Sequence, residues 1–347
     1  MKDDAINIYD IAKMANVSIA TVSRVMNGSD KVTEKTKKKV MDVIENVGYT
    51  PNVYAQGLVS KTMHTVGVMV PTISDPYMAS AVAYLERELM KYGFECILGC
   101  SGYDQEGKQK KTEMLLAKQI DCLIYVGSTF AGNGKDTAAT DYIREAAKRV
   151  PVFIINGNVN GENIYVSVCE DEAAVFDVTN ALISRGRKEI LFLTDSHSYS
   201  ANKKRKGFEK AMKAAGYNAK KGIIYVENNL YSVCDQLILM ENITCDAVVA
   251  SNDVIAVGAV KYAAKKGIKI PEEMEIVGYN NSVLAISSTP EITSIDNHTA
   301  EICKNTVERI MDLLNGESDG LVKKVSVTCT LVPRKTTMQE WPYLGDI

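Results

Sequence analysis

Long apolar runs are missing from this chain. No stretch of ~18 or more uncharged apolar residues occurs in it, so a membrane-crossing helix is not expected. The opening "MKDDAINIYDIAKMA" places Asp3, Asp4 and Asp10 where a signal peptide would need its apolar core, which points to a cytoplasmic protein. Histidine is scarce. His64, His197 and His298 stand far apart and no H-E-x-x-H occurs, so spacing supports no metal site. The eight cysteines are scattered, mostly in apolar runs such as "CLIYV", and no C-x-x-C is present. That pattern excludes a dense disulfide scaffold and leaves buried free thiols as the expectation. Enzyme signatures are absent too. The first strand-like run leads into "VPTISDPY", not G-x-G-x-x-G, and no G-x-S-x-G elbow appears. "GSTFAGNGKD" places Thr129 and Asp136 where a P-loop needs glycine and a magnesium-binding hydroxyl. No catalytic residue and no cofactor are assigned on this basis.

What charge there is lies unevenly. Residues 1–61 hold nine basic and seven acidic side chains, a net of +2, so with a chain total of −3 the remainder carries −5. The first segment is the one place where a polyanion would land.

The 347 residues allow two or three domains at ~100–200 residues each. The first block reads as helical. Asn7 with Asp10 forms a capping box, and Ile8, Ile11, Ala12 and Ala15 recur on one face. Ser18 caps a second helix, "IATVSRVMN", with Val22, Val25 and Met26 inward and Gly28 at its end. Thr33 caps a third, with Val40, Val43, Ile44 and Val47 inward, stopped by Gly48 and Pro51. From Thr65 onward, short apolar runs ("TVGVMV", "FECILG", "DCLIYV", "VFII", "EILFL", "GIIYV", "DAVVA", "EIVGY") alternate with amphipathic stretches. Strands without polar alternation, separated by helices, imply parallel sheets covered on both faces. Their number suits two α/β subdomains with a cleft between them. A single large α/β enzyme domain is the competing arrangement.

The first block has helix-turn-helix spacing. The second helix of such a motif enters a DNA major groove with its first turn foremost. Small and polar residues there (Ser18, Ala20, Thr21, Ser23) allow close approach to phosphates and base edges, and Arg24 can pair with a guanine edge. A three-helix bundle without any nucleic-acid role has the same pattern.

The string "IYDIAKMANVSIATVSRVMNG…KVTEKTKKKVMDVIENVGYTPN" resembles the DNA-binding head of the LacI/GalR family of bacterial transcription regulators. "TVGVMVPTISDPYM", "ASNDVIAVGAVKYAAKKGIKIPEEMEIVGYNN", "TPEITSIDNH" and "LVPRKTT" are similar to segments of that family's regulatory core, so the likeness covers about residues 7–337. The resemblance implies a small all-α helix-turn-helix head followed by two Rossmann-like parallel-sheet subdomains of the type I periplasmic-binding-protein kind. It implies a head at 1–50 and a hinge at 51–64. One core subdomain would comprise 65–157 plus 293–322, the other 158–292 plus 323–337, with a tail at 338–347. It implies a homodimer on near-palindromic double-stranded operator DNA, acting as a repressor-type switch. Ile19, Ala20 and Arg24 would read bases. Tyr9, Ser18, Thr21, Ser23 and Asn27 would touch phosphates or brace the helix.

The same likeness implies a small-molecule effector, a sugar or sugar derivative, between the subdomains at the carboxyl ends of the strands. Asp75, Tyr77, Lys204, Asn252 and Asn280 are its candidate contacts. Three of them have an ordinary reading beside this one: Asp75 and Asn252 as helix caps, Tyr77 as core. Two departures stand out. Lys204 replaces the family's arginine and loses the planar fork. Asn280 replaces the aspartate of "GYD" and is uncharged. A further family aspartate falls among Cys169, Glu170 and Asp171. A neutral or anionic saccharide is the expected ligand. The alternatives are control by a protein partner or non-sugar ligand, or a ligand-binding α/β protein with no DNA function. "NVYAQGLV" at 52–59 is too short for a stable isolated helix, and Gly57 weakens it. By the resemblance it is a hinge helix that orders in the minor groove. Leu58 would wedge between bases, and Asn52 and Ala55 would meet the groove walls or the twin hinge.

Overall fold

The computed structural model describes residues 6–26, 29–49, 62–134, 138–240, 244–317, 319–338 and 341. They fall into two compact units that divide between Met63 and His64.

The first unit contains α1 (Ile8–Met14), α2 (Ile19–Met26) and α3 (Glu34–Val47). Local chemistry sets each boundary. Asn7 accepts from Tyr9 N and Asp10 N, while Asp10 Oδ2 takes the Asn7 N–H at 3.0 Å. Ser18 Oγ accepts from Thr21 N at 3.1 Å ahead of α2, and Thr33 accepts from Thr36 N ahead of α3. Gly48 closes α3 at φ 62°, a left-handed conformation that costs glycine little. Ile11, Ala12, Ala15, Val22, Val25 and Val40 form the buried core. Val43, Ile44 and Val47 pack on it only half-buried, because so small a unit has little interior.

The second unit carries β1 (Thr65–Val70), α4 (Pro76–Met90), β2 (Glu95–Cys100), α5 (Gln105–Leu116), β3 (Cys122–Val126), α6 (Asp141–Ala147), β4 (Val152–Ile155) and β5 (Ile164–Cys169). It continues with α7 (Asp171–Ser184), β6 (Ile190–Thr194), α8 (Tyr199–Ala214), α9 (Ala219–Gly222), β7 (Ile223–Tyr225), α10 (Leu230–Leu239), β8 (Ala247–Ala250), α11 (Asp253–Lys266) and β9 (Glu275–Tyr279). Last come α12 (Val283–Ser287), β10 (Thr293–Asp296), α13 (Thr299–Leu314), β11 (Lys324–Val327) and β12 (Thr330–Val332). Among the described residues these strands make two six-stranded sheets, ordered β11-β5-β4-β3-β1-β2 and β12-β10-β9-β8-β6-β7. Neighbours run parallel except β10 and β12. The inner strands are buried on both faces, as their unbroken apolar runs require; the four outermost, β2, β7, β11 and β12, are partly exposed.

The sheets divide the chain differently from the expected boundaries. Residues 164–169, expected in the second subdomain, form β5 of the first sheet, where Val152 of β4 pairs with Ile164. Residues 293–296, expected in the first, form β10 of the second, where Thr293 pairs with Val277 of β9. Residues 324–327 join the first sheet beside β5. The chain therefore passes between sheets after β5, after β10 and between β11 and β12. "IYVSVC" escapes a reading by apolar runs because Ser167 interrupts it. The fold satisfies that hydroxyl internally, 3.1 Å from Thr306 Oγ1 and 3.2 Å from Arg309 Nη1.

All eight cysteines are free thiols. Burial holds for Cys122, Cys169, Cys234, Cys303 and Cys329, but Cys96 and Cys245 are half-buried and Cys100, on the edge strand β2, is exposed.

Candidate functional site

In the head, α2 separates its residues by role. Val22 and Val25 face the core and are buried, while Ile19, Ala20 and Arg24 are exposed. At 3.6 residues per turn these three share an arc of about 140° on the opposite side. Thr21 Oγ1 sits 2.8 Å from Ser18 Oγ, so these hydroxyls brace the start of the helix. Ser23 is half-buried, and Tyr9 projects from α1 with two-thirds of its surface exposed. The structure thus collects Tyr9, Ser18, Ile19, Ala20, Thr21 and Arg24 on accessible surface of one small unit. Asn27, Asn52, Ala55 and Leu58 lie outside the described residues.

In the second unit, the carboxyl ends of the parallel strands from both sheets meet around a cavity of about 690 Å³. Asp75, Tyr77, Lys204, Asn252 and Asn280 all line it. All but Lys204, in the second turn of α8, are placed by the chain just after a strand or at a helix start, where loops of parallel sheets converge.

Asp75 caps α4. Its Oδ1 accepts from Tyr77 N at 2.9 Å and Met78 N at 3.3 Å, and its Oδ2 accepts from Asn228 Nδ2 at 3.3 Å. Asn252 caps α11 through Ile255 N, and its amide donates to Asn228 Oδ1 at 3.2 Å. Asp75–Asn228–Asn252 is therefore a bridge from one wall to the other. Ser128 Oγ donates to Ser198 Oγ at 2.9 Å as a second bridge. The capping and cleft readings of Asp75 and Asn252 are compatible, since each uses a different atom for each task. Tyr77 is buried, its phenol pushed well above the ordinary range by that burial.

Lys204 is buried beneath the cavity. Its Nζ donates to Ser251 O at 2.9 Å and lies 3.4 Å from the Tyr279 ring centroid. Carbonyl and aromatic face together replace the solvation that burial removes. Asn280 adopts φ 92° at the end of β9, and its Oδ1 accepts from Asn297 Nδ2 at 3.0 Å. That leaves its amide N–H groups as what it offers the cavity, where a carboxylate would offer acceptors. Of the three residues competing for the further aspartate position, none lines this cavity. Asp171 is buried and accepts from the Tyr279 hydroxyl at 2.5 Å, and exposed Glu170 accepts from Thr328 Oγ1 at 3.1 Å.

Several contacts were not among the candidates. Asn156 follows β4 at φ 66°, Asp195 follows β6, and Asn228 lies just beyond β7. Tyr103 and Tyr231 add exposed rings to the wall. Thr129 Oγ1, Asn156 Oδ1, Ser200 Oγ and Ser251 Oγ are buried with no hydrogen-bond partner among the described residues, and all four side chains line the cavity. Buried polar atoms ordinarily find partners, so this cluster marks the wall as a polar binding surface. The strand-end rule would have found Asn156 and Asp195, which directly follow the runs "VFII" and "EILFLT".

Residues 7–52 match the family model described as bacterial regulatory proteins, lacI family, and residues 179–337 match a periplasmic binding protein-like domain. An HTH-type transcriptional regulator of Lachnoclostridium phytofermentans is 43% identical over 335 residues, 95% of this chain and 99% of that protein. The chain belongs to the lacI family of bacterial regulatory proteins. Catabolite control protein A of Priestia megaterium is 32% identical over 84% of this chain and 87% of its own length. Among solved structures, the Lac repressor dimer bound to operator and the anti-inducer ONPF superposes with TM-score 0.86 at 23% identity, covering 97% of this chain and all of that one. A CelR–cellobiose complex superposes with TM-score 0.69 at 22% identity, over 95% of this chain and 99% of that one. As a lacI-family member this is a DNA-binding transcription regulator. Among its described residues no helix is long and apolar enough to cross a membrane.

Proposed function

We propose that the protein is a homodimeric repressor-type switch, working in the cytoplasm on a near-palindromic operator, whose DNA affinity is set by a saccharide in the cleft. The observation that carries the ligand class is the wall chemistry. Hydroxyls and amides with unpaired hydrogen-bonding capacity surround a cavity of about 690 Å³, together with tyrosine rings. Such a wall suits a polyhydroxylated ring, whose edges need donors and acceptors and whose faces pack on aromatics. Lys204 is already engaged by Ser251 and Tyr279, and Asp75 and Asp195 add negative charge, so a neutral sugar fits better than an anionic one. The cellobiose complex of a protein with this fold supports the same class. No enzymatic role is proposed.

In this reading, Ile19, Ala20 and Arg24 meet base edges and two heads related by a twofold axis read the two half-sites. The effector acts by changing the cleft, and the hinge at 51–64 carries that change to the heads.

A calorimetric screen of neutral mono- and disaccharides, with sugar phosphates as comparison, tests the ligand class. At least one neutral sugar is expected to bind, and binding by none of them would end this reading. Asn228→Ala removes the link between Asp75 and Asn252 and is expected to weaken that sugar by about tenfold, the worth of one net hydrogen bond. Equal affinities of wild type and variant would place the sugar elsewhere. Leu58→Ala is expected to lower operator affinity and reduce DNA bending while the head stays folded. Bending measured by circular permutation should fall; an unchanged bend angle rules out the wedge.

A further inference from the structure

Three passages join the two sheets, and they lie side by side. Cys169–Glu170 leads out of β5, Asn297–His298 leads out of β10, and Thr328–Cys329 connects β11 to β12. Hydrogen bonds lace them together. Glu170 N donates to Val327 O at 3.0 Å, Thr328 Oγ1 donates to Glu170 Oε2 at 3.1 Å, and Thr330 Oγ1 lies 3.1 Å from His298 Nε2. Any change in the opening of the cleft must turn these passages against one another.

Two cysteines sit inside this bundle, on different passages. Cys169 Sγ, Cys329 Sγ and a carboxylate oxygen of Asp171 lie within 4.8 Å of one another, all buried. The Tyr279 hydroxyl donates its one hydrogen bond to Asp171, so its oxygen accepts from the Cys329 thiol at 3.3 Å. Cys169 Sγ faces Asn297 O at 3.7 Å. Cys169 also lines a second cavity, of about 550 Å³, with Glu172, Tyr199, Lys203 and Lys324, which gives a small oxidant a way in.

We propose that Cys169 and Cys329 form a reversible disulfide that fastens two of the three passages and fixes the opening of the cleft. The oxidant is a peroxide. The Cys169 sulfur attacks a peroxide oxygen; the S–O bond forms, the O–O bond breaks, and the departing hydroxide takes a proton to leave as water. The Cys329 sulfur then attacks the sulfenic sulfur; the S–S bond forms, the S–O bond breaks, and a second water leaves. Two thiols lose two electrons and two protons, and one peroxide becomes two waters. Beside Cys329 and buried, the Cys169 thiol is pushed up, while Cys329, beside Cys169, is pushed down, so Cys169, the sulfur that faces the second cavity, holds little thiolate and its oxidation is slow. A divalent metal on the same three ligands is the competing occupant, but it would have the buried Lys204 ammonium close by, against the Tyr279 ring.

The test uses the full chain and does not depend on the identity of the effector. Protein is treated with hydrogen peroxide, free thiols are alkylated, and the digest is mapped by mass spectrometry. A peptide joining Cys169 to Cys329 is expected, and dithiothreitol should release it. The Glu170 amide, which bonds across the passages, should exchange with solvent about tenfold more slowly in the oxidised form, and return to its first rate on reduction. C329S should show neither change. Recovery of both cysteines alkylated overturns the proposal, as does cross-linking to other cysteines. So does a cross-linked form in which the Glu170 amide exchanges as before, or zinc that co-purifies and shields both thiols.

Discussion

Arg24→Ala is expected to weaken operator binding by ~1–3 kcal/mol, roughly five- to 150-fold, while barely changing binding to random DNA. The reason is positional. Arg24 is exposed on the side of α2 opposite Val22 and Val25, so its loss leaves the head core of Ile11, Val22, Val25 and Val40 untouched. A guanidinium can make two parallel hydrogen bonds to one guanine edge, and alanine can make none. Preference at a single base pair should relax as well. Fluorescence anisotropy on operator and scrambled duplexes at several salt concentrations separates this from a phosphate contact. A phosphate contact would cost both duplexes equally and reduce the salt slope by about one. Ile19 and Ala20, apolar on the same arc, can add only contacts with thymine methyls.

Glu275→Ala is expected to destabilise the second unit by ~3–5 kcal/mol, the cost of breaking a buried ion pair from one side. Glu275 opens β9 and is fully buried. Its carboxylate accepts from Arg187 Nε at 3.0 Å and Met338 N at 3.0 Å, and pairs with Arg185 Nη2 at 2.8 Å. Arg185 in turn stacks 3.8 Å from the centroid of Trp341, the chain's single tryptophan. Alanine would leave two guanidinium groups facing each other with the charge between them gone. The strand end that carries Glu275 is opposite the end that carries Asn280, so the damage should appear in stability before it appears in ligand contacts. Denaturant unfolding of the variant checks this: a midpoint close to that of the wild type would mean that the cluster is already well hydrated.

Local signals were the most readable part of the fold. The caps at Asn7, Ser18 and Thr33 and the stop at Gly48 are contacts between near neighbours in sequence, so three helices could be placed from residue types alone. Apolar runs likewise located β1, β2, β3, β4, β6, β7, β8 and β9. Sheet membership was less accessible, because pairing is decided by residues far apart. "IYVSVC" and "KVSV" carry polar residues at alternate places, and nothing local says that Ser167 meets Thr306 and Arg309. The cleft shows the same split. Asp75, Asn252 and Asn280 follow strands that were visible as runs, so their position could be named. Asn228 and the Ser128–Ser198 bridge depend on how the carboxyl edges of the two sheets face each other. The proximity of Cys169 to Cys329 depends on two separate chain passages, and 160 residues separate them in sequence.

The central claim is that a ligand in the cleft sets the affinity of the head for a specific DNA sequence. Its most direct test begins with a duplex selected from a random pool by the full-length protein. Dissociation constants for that duplex are then measured with and without a saturating sugar from the calorimetric screen. The predicted result is a change of tenfold or more, equivalent to at least ~1.4 kcal/mol of coupling, that is lost in Asn228→Ala at the same sugar concentration. A sugar that binds the protein tightly yet leaves DNA affinity unchanged would contradict the account, as would failure of the protein to enrich any sequence.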